Sequence, residues 1–343
     1  MRLRYVTGQR AGITRAPAPG GFAYRRRDGS RVRDRATLAR IRQLAIPPAW
    51  TAVWISTDPA GHLQATGRDA RGRKQYRYHA AWTASRDAAK YDRLLDFARA
   101  LPNLRRSVAR DLRSSPLARR RVLATLVSLL ERTHMRVGNV EYARTNGSYG
   151  LTTLRNRHAR VRGSRVEFRF RGKSGVQHAI TIDDPRIARQ IRRCQELPGE
   201  DLFEYRDRLG DVRKIGSSDL NAYLTSCAGR NVTAKDFRTW WGTISAASLL
   251  RDAGRSVTPS ATKRTVVAMF DAVARQLGNT RATCRKSYVH PHVVEAYTRG
   301  VVIRPEDKRA RSATGLSAEE QAVVALLTQM RLKGASRAVA KVA

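Results

Sequence analysis

Basic side chains and tyrosines are the residues of this chain able to handle a phosphate group, and three segments place them conspicuously. The first is Arg136-Val137-Gly138-Asn139, followed by the run Ser148-Tyr149-Gly150-Leu151-Thr152-Thr153-Leu154. The second is Lys173, in Gly172-Lys173-Ser174-Gly175, where a flexible ammonium at a hairpin tip can reach into a groove. The third is Lys235-Asp236-Phe237-Arg238-Thr239-Trp240, a helical stretch whose aromatic residues can anchor the arginine, and fifty residues further on comes Tyr288. A guanidinium is a planar, permanently charged fork suited to holding two oxygens of one phosphate.

Other phosphate and metal devices fail on spacing. Gly172-Lys173-Ser174 looks like the end of a nucleotide-binding loop, but Glu167 stands where that loop needs glycine, and the segment lies between strands. Gly67 to Lys74 also resembles it, yet Arg73 occupies the lysine position. Two-metal nucleases need clustered carboxylates; acids are sparse here, and Asp183-Asp184 reads as a helix cap before Pro185. His290-Pro291-His292 lacks further ligands at metal spacing, and Cys194, Cys227 and Cys284 form neither a pair nor a zinc pattern. No cofactor, metal or nucleotide is therefore expected.

The elements that must position these residues fall into two groups. Residues 1–90 read as a small β-rich domain, with strands at Phe22 to Arg26, Ala52 to Ser56, His62 to Thr66 and Gln75 to His79, and one helix near Ala36 to Leu44. Residues 91–343 read as a larger, mainly helical domain. Its expected helices include Leu117 to Arg132, Pro185 to Arg193, Ser217 to Ala228, Ala234 to Asp252, Pro259 to Leu277 and Pro291 to Tyr297, with a last one at about Ser317 to Met330. Val161 to Ile182 alternates as strands do, around two glycine turns, which predicts a small sheet of hairpins inside the helical domain. The fold class is α+β.

Charge names the partner. Lys and Arg number 67 against 28 Asp and Glu, a formal +39 over 343 residues, and such a field is tolerated mainly when a polyanion is the working partner. Nucleic acid is expected. No apolar stretch approaches the roughly 20 residues needed to span a bilayer, so a cytoplasmic, nucleoid-associated protein with no membrane partner is expected, and nothing in the sequence demands more than a monomer.

Taken together these segments resemble the type IB DNA topoisomerases, especially their compact poxvirus-like and bacterial members, over nearly the whole chain. The family's order is an arginine, a hairpin lysine, an arginine in a K-D-x-R-T-[WY] helix, a polar residue that is usually histidine, and a nucleophilic tyrosine. Arg136, Lys173, Arg238, Asn279 and Tyr288 match it. The resemblance implies that Lys235 assists, that Gln75, Tyr76 and Tyr78 contact duplex DNA, and that the two domains close as a clamp around it. It also implies transient cleavage of one strand through a 3′-phosphotyrosyl link, relaxing positive and negative supercoils without ATP or metal.

The chemistry fits the residues. Attack by a tyrosine oxygen on a phosphodiester builds charge on the nonbridging oxygens, which Arg136 and Arg238 can clamp. The leaving 5′ oxygen needs a proton, and Lys173 can supply it. Asn279 departs from the usual histidine: its amide can donate a hydrogen bond but cannot titrate. Two other readings are a tyrosine recombinase, whose usual His-x-x-Arg element is not evident because Lys235 and Asp236 precede Arg238, and a noncatalytic architectural DNA-binding protein, in which Tyr288 does nothing.

Overall fold

The structure is a computed structural model that describes residues 3–7, 12–70, 72–305 and 315–339. The chain divides into two compact units, Met1–Asp92 and Arg93–Ala343. No helix among the described residues is long and apolar enough to cross a membrane.

The first unit is built on a five-stranded antiparallel sheet and the helix α1 (Arg35–Gln43). Its strands are β1 (Gly12–Ala18), β2 (Gly21–Arg25), β3 (Thr51–Ser56), β4 (Leu63–Arg68) and β5 (Lys74–Tyr78), in the spatial order β2-β1-β3-β4-β5. β1 was not expected, because Pro17 interrupts its pattern. The structure tolerates Pro17 because β3 pairs only with Gly12 to Thr14, so the proline half of β1 meets β2 alone. Asp34 caps α1 by accepting from Ala36 N and Thr37 N, and Ile41 packs with Ile13, Val32, Val53, Ile55 and Ala65 into a small core.

A long helix, α2 (Ala80–Asp111), begins in the first unit and ends in the second. The second unit is built around α3 (Arg119–Thr133), in which Val122 to Val127, Leu129 and Leu130 are all buried. An apolar helix covered on every side belongs at the centre of a core. Around it lie α4 (Val140–Asn146), a three-stranded sheet of β6 (Ala159–Arg162), β7 (Arg165–Arg171) and β8 (Gln177–Asp183), and α5 (Pro185–Gln195). A short hairpin of β9 (Glu204–Arg206) and β10 (Val212–Lys214) follows. Then come α6 (Ser217–Ala228), α7 (Ala234–Asp252), α8 (Pro259–Leu277), α9 (Arg281–Ser287), α10 (Pro291–Thr298) and α11 (Ala318–Val339), the last longer than the sequence pattern suggested.

The acidic pair before Pro185 acts as a cap, with Asp184 accepting from Arg186 N at 2.8 Å and Ile187 N at 3.2 Å. The His290-Pro291-His292 pair is also a cap: His290 Nδ1 accepts from His292 N at 3.1 Å and starts α10.

Candidate active site

Arg136 lies just beyond α3, which ends when His134 takes a left-handed φ of 55°. The turn is pinned by the Ser148 to Leu154 run. Leu151 N donates to Arg136 O at 2.7 Å, and Thr152 donates to Val137 O through its backbone N at 2.6 Å and its hydroxyl at 2.9 Å. The two strips pass so closely that a methyl at Gly150 would sit 2.5 Å from Gly138 N and 2.6 Å from Arg136 O. Glycine at 150 is thus a condition of placing Arg136. Its guanidinium donates through Nη2 to Gly278 O at 3.3 Å and to Asn279 Oδ1.

Arg238 is set by the start of α7. Thr233 and Asp236 form a capping box, with Asp236 Oδ2 accepting from Thr233 N at 2.8 Å and Oγ1 at 2.9 Å. That explains the acid in the Lys-Asp-x-Arg pattern. Phe237 and Trp240 bury beside Arg238, which is itself only 5% exposed. Its Nη1 donates to His134 O and its Nη2 to Leu277 O at 2.8 Å, so both ends of the fork are held by main-chain carbonyls at the C-terminal ends of α3 and α8.

One turn along α7, Gly242 lets the helix pass against the residue that ends α9. A methyl there would lie 2.7 Å from Tyr288 O, and Thr243 Oγ1 donates to the same oxygen at 3.4 Å. The Tyr288 ring thereby meets the Arg238 guanidinium, whose carbon is 5.1 Å from the ring centroid. Burial alone would push the phenol's pKa up; the positive charges of Arg238, Arg136 and Lys235 more than offset it, and the net direction is down.

Asn279 follows the left-handed Gly278 that closes α8, where φ is 58°. With its Oδ1 engaged by Arg136, its amide nitrogen has no acceptor among the described residues, and Nε of Arg238 is in the same condition; both atoms are buried. A buried donor without a protein acceptor is free to serve the oxygen of a ligand. Two such donors, an arginine pair and a phenol of lowered pKa make a cradle for a dianionic or developing anionic oxygen group. Lys173 and Lys235 are exposed beside this cluster's elements, one on the turn between β7 and β8 and the other in the first turn of α7.

Residues 79–311 match the family model described as the catalytic core of eukaryotic DNA topoisomerase I, and residues 21–69 match that of the bacterial DNA topoisomerase IB N-terminal domain. The chain belongs to the type IB DNA topoisomerases. It is 33% identical to DNA topoisomerase 1B of Acanthamoeba polyphaga mimivirus, over 83% of this chain and 87% of that protein. DNA topoisomerase 1B of vaccinia virus (strain Copenhagen) and DNA topoisomerase I of monkeypox virus are each 23% identical, over 67% of this chain and 70% of theirs. The chain is therefore a DNA-acting enzyme, and the reading as a noncatalytic architectural protein is set aside.

In this topoisomerase the three expected DNA-contact residues of the first unit divide between two faces. Alternation along the edge strand β5 puts Tyr76 and Tyr78 on one side, both exposed, their rings stacked at 6.0 Å with Lys74 Nζ 5.7 Å from the Tyr76 ring. Gln75 points the other way and donates through Nε2 to Asp69 Oδ2 at 2.9 Å.

Sequence reasoning missed two histidines. His134, stacked on Trp241 at 4.2 Å, offers its carbonyl to Arg238. Burial, then the charge of Arg238, depresses its pKa to about 4. His178, read only as part of an alternating strand, sits between the Lys173 turn and Gly278. The usable signal was the pair of glycines, Gly172 and Gly278, at positions where a side chain would collide with its ring.

Proposed function

We propose that the enzyme cleaves one strand of duplex DNA by attack of Tyr288 Oη on a phosphodiester, holds the 3′ phosphate as a tyrosyl ester, and reseals the strand after rotation. The observation that carries this reading is the convergence of Arg136, Arg238, Asn279 and Tyr288, from four separate segments, with Arg238 Nε and Asn279 Nδ2 left as buried donors without acceptors among the described residues. In the reaction the phenol loses its proton to solvent, aided by its lowered pKa. The Oη–P bond forms as the P–O5′ bond breaks, and the electron pair leaves on O5′, which takes a proton from Lys173. Arg136, Arg238 and the Asn279 amide neutralise charge on the nonbridging oxygens, where a single oriented donor is worth about 10²- to 10³-fold in rate. Lys235 contributes charge near the phenol.

The tyrosyl ester retains the free energy of the phosphodiester, so the 5′ hydroxyl reseals it by the reverse step with no ATP and no metal ion. Tyr76 and Tyr78 are read as duplex contacts of the first unit, and Gln75 as a contact only if it leaves Asp69. In this reading the two units close on the duplex as a monomeric clamp, in keeping with the +39 charge.

The test is to stop the reaction with denaturant on a duplex labelled at either end of the cut strand. Protein joined to the 3′ phosphate side, with a free 5′ hydroxyl on the other fragment and no adduct from Tyr288→Phe, is expected. An adduct on the 5′ side, or one that survives Tyr288→Phe, would sink the assignment.

A further inference from the structure

The hairpin turn that carries Lys173 is stiff in backbone and free in side chain. Gly172 N donates to Val176 O at 2.7 Å, Gly175 N donates to Gly172 O at 3.1 Å, and Ser174 takes a left-handed φ of 63°. Lys173 itself is exposed and makes no hydrogen bond or ion pair among the described residues. A long ammonium side chain has considerable rotamer freedom to lose on being fixed. Its effectiveness at one atom therefore depends on how firmly the turn beneath it is placed.

That placement runs through one imidazole. His178 lies on β8 opposite Phe170 of β7, and the two rings stack at 4.9 Å with 18° between planes. A methyl at Gly172 would lie 2.6 Å from both Cδ2 and Nε2 of His178, and one at Gly278 would lie 3.1 Å from its Cε1. The ring thus fills the space between the residue before Lys173 and the residue before Asn279. Gly278 is in turn tied to Arg136 through its carbonyl. Burial, then the charges of Arg136 and Arg238, lowers the imidazole's pKa, so the spacer is neutral and adds no third cation beside the phosphate cradle.

We propose that His178 is a positioning residue: its ring docks the Lys173 turn onto the Gly278-Asn279 turn and so sets where the proton donor stands. This rests on Lys173 being the acid that protonates O5′. The two claims separate on a substrate whose scissile bridging 5′ oxygen is replaced by sulfur, because a thiolate leaves without needing a proton.

Single-turnover cleavage is measured on the oxygen and sulfur duplexes. On oxygen, His178→Ala is expected to be slower by about ten- to a hundredfold, part of the 10²- to 10⁴-fold that a general acid supplies. On sulfur the same variant should come within about threefold of the parent, since only the acid's contribution has been removed. Lys173→Ala should show the same rescue, and Asn279→Ala should stay slow on both substrates. Gly172→Ala, whose backbone φ of −95° suits alanine, pushes the methyl into the ring and should reproduce the His178→Ala pattern. His178→Phe keeps a flat ring and should retain most of the oxygen-substrate rate.

If Lys173→Ala is not rescued by sulfur, the acid assignment fails and this proposal falls with it. If Lys173→Ala is rescued but His178→Ala and Gly172→Ala are not, the acid stands and His178 is not its positioner. Unchanged cleavage of the oxygen duplex by His178→Ala overturns the proposal as well. Should His178→Ala fail to fold, Gly172→Ala decides the question by the same rescue.

Discussion

At Tyr288 burial and charge pull in opposite directions. Desolvation disfavours the phenolate, while Arg238, Arg136 and Lys235 favour it, and the cations prevail. A difference titration of phenolate absorbance between the natural chain and Tyr288→Phe should therefore show one tyrosine ionising below the ordinary value. Lys235→Ala, which removes one exposed cation, should move that midpoint upward. A midpoint at or above the ordinary value would mean that desolvation prevails. Asn279→Ala should slow single-turnover cleavage by about 10²- to 10³-fold, as loss of one oriented donor does, with duplex affinity unchanged; an unaltered rate would remove Asn279 from the site. With 67 Lys and Arg in the chain, residue type alone singles out none of these side chains; they were legible through the resemblance of their motifs and their order to those of the family. What was not legible is what holds them: Arg238 hangs from the carbonyls of His134 and Leu277, and main-chain oxygens carry no mark in sequence.

Among the elements, α7 does the most to organise the site. Its capping box fixes the start, Arg238 lies one turn in, and Gly242 another turn on admits Tyr288. Gly242→Ala puts a methyl 2.7 Å from a backbone oxygen in a packed helix, where neither side gives cheaply. Cleavage should fall at least tenfold while duplex binding persists; normal cleavage would show that the Tyr288 segment can shift without cost. The end of α3 supplies a second case. His134 is partly buried and its pKa is lowered to about 4, so the unfolded chain binds a proton there that the folded chain refuses. The stability it permits is present above the unfolded value near 6.5 and is lost as pH falls toward 4. Between pH 7 and pH 5 this amounts to about 2 kcal/mol. Urea unfolding at the two pH values should show that loss, and His134→Asn, which tolerates the left-handed backbone, should reduce it. The main helices were legible from periodicity and caps, several of them to the residue, whereas β1 was hidden by Pro17, whose tolerance depends on which neighbour each half of the strand meets.

At the scale of the molecule, an excess of 39 positive charges makes affinity for duplex DNA a matter of counterion release. Plasmid relaxation at limiting enzyme should fall steeply as salt rises from about 50 to about 200 mM, the range over which several phosphate contacts cost orders of magnitude in affinity. A flat response would imply that few of these charges face the duplex. The charge and the β-rich to helical change of pattern were plain in the sequence, and the chain divides into its two compact units after Asp92. The measurement that bears most directly on the whole account is relaxation of supercoiled plasmid in EDTA without ATP, at low salt, by the natural chain and by Tyr288→Phe. The account predicts complete relaxation of both positively and negatively supercoiled circles by the first and none by the second, though both bind DNA. Relaxation that needs a metal ion or ATP, or that survives Tyr288→Phe, would contradict it.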